Sequence, residues 1–309
     1  MWRSLGAAVA ALSLAACSLS THPLSPVAAP GVPVASSAME RLLDTPGPIQ
    51  LESVNTADWQ VPLAGLLNLD HAAARRAGLR DHSEAIQVYT HVLRHPVYGN
   101  FLVDTGVARR LAADPGGAGL GWLVARAMAL DTLRLRTPTE DVLAQLSGPL
   151  QGVLFTHLHL DHISGLPAIP ANSALFVGPG EARARSWQNL FVRGSSDALL
   201  NGKAALREFA FRPDPDGRFD GVLDVFGDAS LFAISVPGHT PGSVAYVVRT
   251  PDGPVLLAGD TCHTRWGWEH AVGPGDFTAD LDGNQRQLER LLALAARHPA
   301  MRVRLGHQP

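Results

Sequence analysis

The sequence predicts a domain of the α/β or α+β kind, in which sheets and helices pack in layers. Short runs rich in β-branched and aromatic residues, many of them next to Gly, Pro or Asp, occur in two groups along the chain. Segments with helical start and stop signals separate them. The chain has 309 residues, 46% hydrophobic and 17% charged, so it can bury a large core. Two groups of strands with interspersed helices indicate a layered architecture.

The predicted strands are short and stop at recognisable turns. A His-Pro pair separates the first two, and the run Pro251-Asp-Gly253 is a strong turn signal between two of the later ones. The first group comprises residues 86–93, 99–103, 152–156 and 173–177. The second group comprises residues 231–236, 243–249, 255–258 and 301–305.

Three segments are predicted to be helical. Thr137-Pro-Thr-Glu140 has the pattern of a capping box with Pro at the first helical position, and it begins a helix that ends near residue 146. Asp282 opens another helix, which ends before Pro299 and places an apolar face toward the core. Residues 181–210 form an apolar segment that we expect to be a broken helix.

Residues 1–16 are typical of a bacterial lipoprotein signal peptide. Arg3 is followed by an apolar run too short to span a bilayer. The run Leu14-Ala-Ala-Cys17 resembles a lipobox, in which the cysteine is lipidated; a plain signal peptide, with Cys17 incidental, is the alternative. Ser18 is not the aspartate that retains enterobacterial lipoproteins at the inner membrane. We therefore expect a lipid-anchored protein of the bacterial cell envelope, on the periplasmic side and at the outer rather than the inner membrane.

Residues 17–48 are rich in Ser, Pro and Ala, and this composition predicts a flexible tether because it offers little apolar area to bury. The compact domain is expected at residues 49–309. Cys262 is the only cysteine besides Cys17, so acylation of Cys17 would leave no partner for an intramolecular disulfide.

The charge balance argues against nucleic acid as a partner. The chain has 25 Lys and Arg against 28 Asp and Glu, for a formal net charge of −3. It contains no basic run of the kind that follows a phosphate backbone.

The run Thr156-His-Leu-His-Leu-Asp-His162 concentrates metal-binding side chains at the end of a predicted strand. Strand side chains alternate, so His157 and His159 point to one side. Asp161 and His162 approach from another direction as the chain turns. Two ligands from one face and two from a turn suit a pair of adjacent metals better than a single ion.

Other candidate ligands also follow predicted strands. His239 follows the strand 231–236, Asp260 follows 255–258, and His307 follows 301–305. Histidine and carboxylate ligands are those that zinc favours, although manganese and iron also accept them.

This constellation resembles the metallo-β-lactamase fold superfamily, over a stretch from about residue 49 to His307. The resemblance implies a four-layer αβ/βα sandwich of the α+β class and two divalent metal ions, with zinc favoured. The run Phe101-Leu-Val-Asp104-Thr-Gly106 matches the family's early strand motif, whose aspartate buttresses the metal site. The ligands implied are His157, His159 and His239 for one metal, Asp161, His162 and His307 for the other, and Asp260 as the bridge.

The chemistry implied is hydrolysis of an ester-like carbonyl by a hydroxide that bridges the two metals. Asp161 is the natural group to orient this hydroxide and to pass its proton to the leaving group. The enzyme is thus expected to be a metal-dependent hydrolase of the lactonase or esterase type, with a small-molecule substrate.

Among the branches of the family, the layout most resembles that of the N-acyl-homoserine lactonases. One departure concerns His263, three residues after the bridging aspartate, where such lactonases commonly carry a tyrosine. His263 can donate a hydrogen bond to the substrate as the tyrosine does, which makes it a second candidate catalytic residue; alternatively it only packs beside the site.

Three other activities share this ligand set or this fold. A thioesterase of the glyoxalase II type and a β-lactamase-like hydrolase use comparable metal sites. A persulfide dioxygenase, which belongs to a different class, binds a single iron with the same motif. The metal content and the substrate would separate these alternatives.

Overall fold

A computed structural model describes residues 18–186 and 188–309. Residues 1–17, including the predicted signal peptide and Cys17, lie outside this part of the chain. The strands are β1 Val32–Pro33, β2 Gln50–Pro62, β3 Ser83–His95, β4 Gly99–Val103, β5 Arg134–Leu135, β6 Leu150–Leu154, β7 Ala174–Val177, β8 Leu206–Glu208, β9 Val222–Asp224, β10 Leu231–Ser235, β11 Val244–Thr250, β12 Gly253–Leu257 and β13 Arg302–Arg304.

The helices are shorter, and most of them connect strands. They are α1 Ser36–Leu43, α2 Leu63–Leu66, α3 Ala72–Arg76, α4 Arg109–Ala113, α5 Trp122–Ala127, α6 Thr139–Ala144, α7 Leu160–Ile163, α8 Asn189–Leu200, α9 Arg265–His270 and α10 Leu281–Arg297. Within the described chain, none of these helices has the length and apolar character needed to cross a bilayer.

The strands form two mixed sheets. One has seven strands in the order β5-β2-β3-β4-β6-β7-β8, and the other has six in the order β1-β9-β10-β11-β12-β13. In the first, β6 lies parallel to both β4 and β7; in the second, β12 lies parallel to β13. Neighbouring parallel strands have their carboxyl ends at the same edge of a sheet. The polar residues of the candidate site follow the strands at this edge.

Apolar residues divide the domain into layers. Phe101 and Leu154 of the first sheet pack with Tyr246 and Val248 of the second, so the two sheets face each other across a buried core. Helices cover both outer faces, because Leu288 and its neighbours on α10 join one cluster and residues of α4, α6, α7 and α8 join another. The four-layer αβ/βα sandwich of the α+β class is therefore confirmed.

The prediction of a flexible tether over residues 17–48 is wrong for the part that the structure describes. Residues 18–25, which we call the N-terminal strap, lie on the domain. The backbone of Ser18 forms an isolated antiparallel β-bridge with Arg185, and that of Leu24 forms a parallel one with Leu206. Farther along, β1 pairs with β9, and α1 buries Met39 completely. The average composition concealed these few apolar residues, and the strap's polar groups find partners on the domain surface.

Other local predictions need smaller corrections. The expected capping box does not form, because Pro138 takes the cap position and the carboxylate of Glu140 instead accepts from the backbone of Arg109. Helix α10 begins one residue earlier than expected, capped by Asp280. The segment 181–210 contains α8, but it ends in the strand β8. The long strand β2 was not predicted, because its polar residues alternate irregularly.

Candidate metal centre

The structure brings together the side chains that follow the carboxyl ends of β6, β10, β12 and β13. Each stands where a strand gives way to a turn, and the backbone there is fixed by neighbouring strands. Gly306 shows how closely these turns approach, since a Cβ at that position would lie 2.1 Å from Oδ1 of Asp260. Among the described residues, three groups of potential ligands result, each compact enough to surround one ion, and the third shares one residue with each of the first two.

The three-histidine group consists of His157, His159 and His239. Nε2 of His239 lies 2.9 Å from Nδ1 of His159, and the ring of His157 stands edge-on to the other two. His239 is held in place because its backbone N–H donates to Asn284 and its Nδ1 lies 3.1 Å from the hydroxyl of Thr278.

The mixed group consists of Asp161, His162, Asp260 and His307. Oδ2 of Asp161 lies 3.2 Å from Nε2 of His307. The carboxylate of Asp260 lies near both His162 of this group and His239 of the three-histidine group, so it stands where the two groups meet. The side chain of Asp161 is 21% exposed, whereas Asp260 is almost fully buried. Asp161 is therefore the carboxylate of the centre that solvent and substrate can reach.

The surroundings of Asp260 indicate what this centre holds. Its Oδ2 is surrounded by the Nε2 atoms of five histidines. These atoms belong to His263 at 2.9 Å, His162 at 3.2 Å, His307 at 3.3 Å, His239 at 3.5 Å and His157 at 3.7 Å. Among the described residues, the buried atoms Nε2 of His157 and Oδ1 of Asp260 have no hydrogen-bond partner. Unpaired buried polar atoms are costly, and cations placed among them satisfy them. This donor set fits two divalent ions.

The same crowding shifts the pKa values of these side chains. Burial, together with the neighbouring His162, holds the pKa of His157 well below its usual range. Burial also opposes protonation of His307, but Asp260 and Asp161 outweigh it and raise the pKa of His307 to about 10. Metal ligands must be deprotonated, so metal binding at the mixed group competes with protons there.

Asp104 buttresses His162, as the resemblance implied. Its carboxylate accepts from the backbone N–H and the hydroxyl of Thr156, and from Nδ1 of His162 at 2.8 Å. With the proton fixed on Nδ1, Nε2 of His162 points its lone pair toward Asp260. Asp104 adopts a φ of 55° to reach this position, and the next turn requires Gly106, where a Cβ would lie 2.4 Å from Thr56.

His263 is more deeply placed than the sequence suggested. It is 1% exposed, its Nδ1 donates to the carbonyl of Leu66 at 3.0 Å, and its Nε2 lies 2.9 Å from Oδ2 of Asp260. The ring stacks on His307 with a centroid separation of 5.3 Å. His263 thus belongs to the centre itself and also borders the adjoining cavity.

Glu181 is a functional residue that sequence reasoning missed. It is fully buried, and its carboxylate accepts from the backbone N–H of Leu158, from the backbone N–H of Gly242 and from the hydroxyl of Thr240. Leu158 lies between two histidines of the three-histidine group, and Thr240 follows the third. Glu181 therefore fastens together the two loops that carry this group. Burial raises its pKa, while these three donors oppose the rise.

A cavity of about 510 Å³ adjoins the metal centre. Its wall near the centre contains Asp161, His159 and His263, and most of the rest is apolar. The apolar wall comes from widely separated parts of the chain, including Leu19 of the strap, Trp59, Ile86, Met128 and Phe191. A ligand with a polar head and a hydrocarbon portion matches this division.

Known proteins share the sequence pattern and the fold of this chain. The sequence profile of the metallo-beta-lactamase superfamily matches residues 84–307. The N-acyl homoserine lactonase AttM of Agrobacterium fabrum is 30% identical over 220 residues, which cover 71% of this chain and 80% of that protein.

Solved structures share the fold at lower identity. A quorum-quenching N-acyl homoserine lactone lactonase superposes with a TM-score of 0.56 at 17% identity, covering 86% of this chain and 94% of its own. The dizinc quorum-quenching lactonase AidC, in complex with N-hexanoyl homoserine, superposes with a TM-score of 0.57 at 14% identity, covering 91% of each chain.

Proposed function

This chain belongs to the metallo-beta-lactamase superfamily and is a metal-dependent hydrolase, and we propose that it opens the lactone ring of N-acyl homoserine lactones. The observation that carries this choice of substrate is the cavity beside Asp161, which joins the polar centre to an apolar wall. An acylated lactone has the same two parts. The lactonases among the relatives and structural neighbours support the assignment.

We further propose that the centre holds two zinc ions. His157, His159 and His239 would hold one, Asp161, His162 and His307 the other, and Asp260 would contact both. When bound, two such ions lower the pKa of a shared water toward neutrality and polarise the substrate carbonyl. Their identity as zinc is supported by the predominance of imidazole ligands.

The chain's own residues supply proton transfer and orientation. In the hydrolysis, the oxygen of water adds to the lactone carbonyl carbon, and the bond from that carbon to the ring oxygen breaks. Asp161 is the exposed carboxylate of the centre, and its Oδ2 faces His307, so its other oxygen, Oδ1, accepts the proton of the water and delivers it to the departing ring oxygen. Asp104 acts indirectly, by keeping the tautomer of His162 fixed.

The apolar wall is expected to bind the acyl chain of the substrate. Each buried methylene contributes about 0.8 kcal/mol, so kcat/KM should rise by up to about fourfold per methylene until the cavity is full. Leu19 belongs to this wall, which makes the N-terminal strap part of the substrate site. Leu19→Trp should therefore shorten the acyl chain that the enzyme prefers, while leaving metal content unchanged.

The experiment that tests the proposed function starts from the mature chain, stripped with a chelator and reloaded with zinc. We expect about two zinc ions per chain, and hydrolysis of N-acyl homoserine lactones, followed as acid release, that depends on acyl length. A thioester and a β-lactam serve as comparison substrates. The proposal fails if lactones are untouched while either of these is hydrolysed, or if one iron supports oxygen consumption with a persulfide.

We also propose that Cys17 carries a lipid that anchors the protein in the bacterial envelope, at the outer membrane. This proposal is supported by the run Leu14-Ala-Ala-Cys17, which lies outside the described residues. Ser18, the residue after Cys17, forms a β-bridge with Arg185 on the domain, and Leu19 of the strap lines the cavity. The lipid would therefore be attached next to the strap.

Replacement of Cys17 by alanine tests the anchor. The variant should accumulate as a precursor or be released from membranes, whereas Cys262→Ala, which removes the buried cysteine, should fractionate as the wild type does. Labelling with a fatty-acid analogue measures the lipid directly. Unchanged membrane association of Cys17→Ala, without label in the wild type, would refute the proposal.

A further inference from the structure

We propose that His263 is itself a metal ligand, which shares an ion with His239 and Asp260. The centre would then contain one imidazole more than the set implied by the family resemblance. This inference rests on the proposed two-ion centre, and it changes the role of His263 from a donor toward substrate to a ligand of the metal.

The tautomer follows from the partner of Nδ1. The carbonyl oxygen of Leu66 can only accept a hydrogen bond, so Nδ1 of His263, 3.0 Å away, carries the proton. In the neutral ring, Nε2 then presents a lone pair toward the centre. His307, a ligand in the family set, has the same arrangement, since its Nδ1 donates to the carbonyl of Gln87. A backbone carbonyl that orients the far side of a ring is typical of metal-binding histidines.

The distances place that lone pair among other ligand atoms. Nε2 of His263 lies 2.9 Å from Oδ2 of Asp260, and the ligand atoms of His239, Asp260 and His263 all lie within 4.8 Å of one another. Two lone-pair atoms this close and this buried repel each other unless a cation lies between them. A metal ion fits this position, because the imidazoles of His239 and His307 also lie next to the ring of His263.

The backbone around His263 holds the ring in this orientation. Its carbonyl accepts from the N–H of His307, and the next residue, Thr264, caps α9 through its hydroxyl. The ring is thus held through its own backbone, through His307 and through Leu66. A preorganised imidazole of this kind binds metal with little loss of conformational entropy.

The test uses through-bond NMR coupling, which exists only if nitrogen coordinates metal. The mature chain is labelled with a nitrogen isotope at histidine and loaded with an NMR-active cadmium isotope in place of zinc. We expect a cadmium–nitrogen coupling at Nε2 of His263, which disappears in His263→Phe. In that variant the affinity for one of the two ions should also fall by at least about tenfold.

His95→Gln is the matched control, because His95 is also buried and also faces a carboxylate, that of Asp228, away from the centre. It should leave every cadmium coupling unchanged. Couplings at the other ligands without one at His263 would overturn this inference and leave the proposed function standing. Failure of the wild type to bind any divalent ion would overturn both. The wild-type spectrum decides the question even if His263→Phe does not fold.

Discussion

Asp260→Asn is expected to abolish hydrolysis and to reduce the metal content below two ions per chain. The substitution keeps the shape of the side chain but removes the negative charge at the point where imidazole nitrogens converge, as close as 2.9 Å. It also presents N–H groups to lone pairs that should face a cation. Loss of a single positioned catalytic group costs roughly a hundredfold to a thousandfold in turnover, and loss of the bridging charge should cost at least the upper figure.

The measurement combines elemental analysis with kcat/KM on the best lactone. Asp228→Asn is the matched control, since Asp228 also accepts from a buried histidine, His95, but lies away from the centre. It should keep both ions and nearly full activity. If Asp260→Asn bound two ions as tightly as the wild type, Asp260 would not be the bridge, and the two groups of ligands would act independently.

The residues that converge at the candidate metal centre could be identified from the sequence because their signal is local. The run from His157 to His162 and the single residues His239, Asp260 and His307 all follow strands that can be recognised from their own composition. A residue that directly follows a strand lies at the end of that strand, independently of the rest of the fold. Their assignment to two metals required the resemblance to the metallo-β-lactamase fold superfamily, because no single segment of the sequence shows that the two sheets converge.

The errors have the opposite cause, since they concern contacts between distant segments. Residues 17–48 were predicted to be a tether from their average composition, but a few side chains, such as Leu19 of the strap and Met39 of α1, are buried against surfaces that other segments supply. The depth of His263 depends on where the loop at Leu66 passes, a distance of 197 residues in sequence. Glu181 gave no signal, because its three partners lie in two loops that only the folded sandwich brings together.

Glu181→Ala is expected to destabilise the fold and to weaken the three-histidine group in particular. The substitution leaves the N–H groups of Leu158 and Gly242 and the hydroxyl of Thr240 without their acceptor. A buried donor that loses its acceptor costs about 1–3 kcal/mol, so the three together should cost about 3 kcal/mol or more. For a domain of this size that corresponds to a fall in Tm of roughly 6 °C or more.

The effect on metal separates a clamp between ligand loops from an ordinary buried carboxylate. Because Glu181 fastens the loops of His157, His159 and His239, the ion held there should be lost first in a chelator titration, while the ion at the mixed group is retained longer. Glu181→Gln, which keeps one acceptor oxygen but turns an amide group toward a donor, should be intermediate in both measurements. Glu208→Gln is the control. The carboxylate of Glu208 accepts a hydrogen bond from the backbone N–H of Gly180, which belongs to neither of the two ligand loops. A lower Tm with both ions lost in parallel would show that Glu181 stabilises the domain without positioning the three histidines.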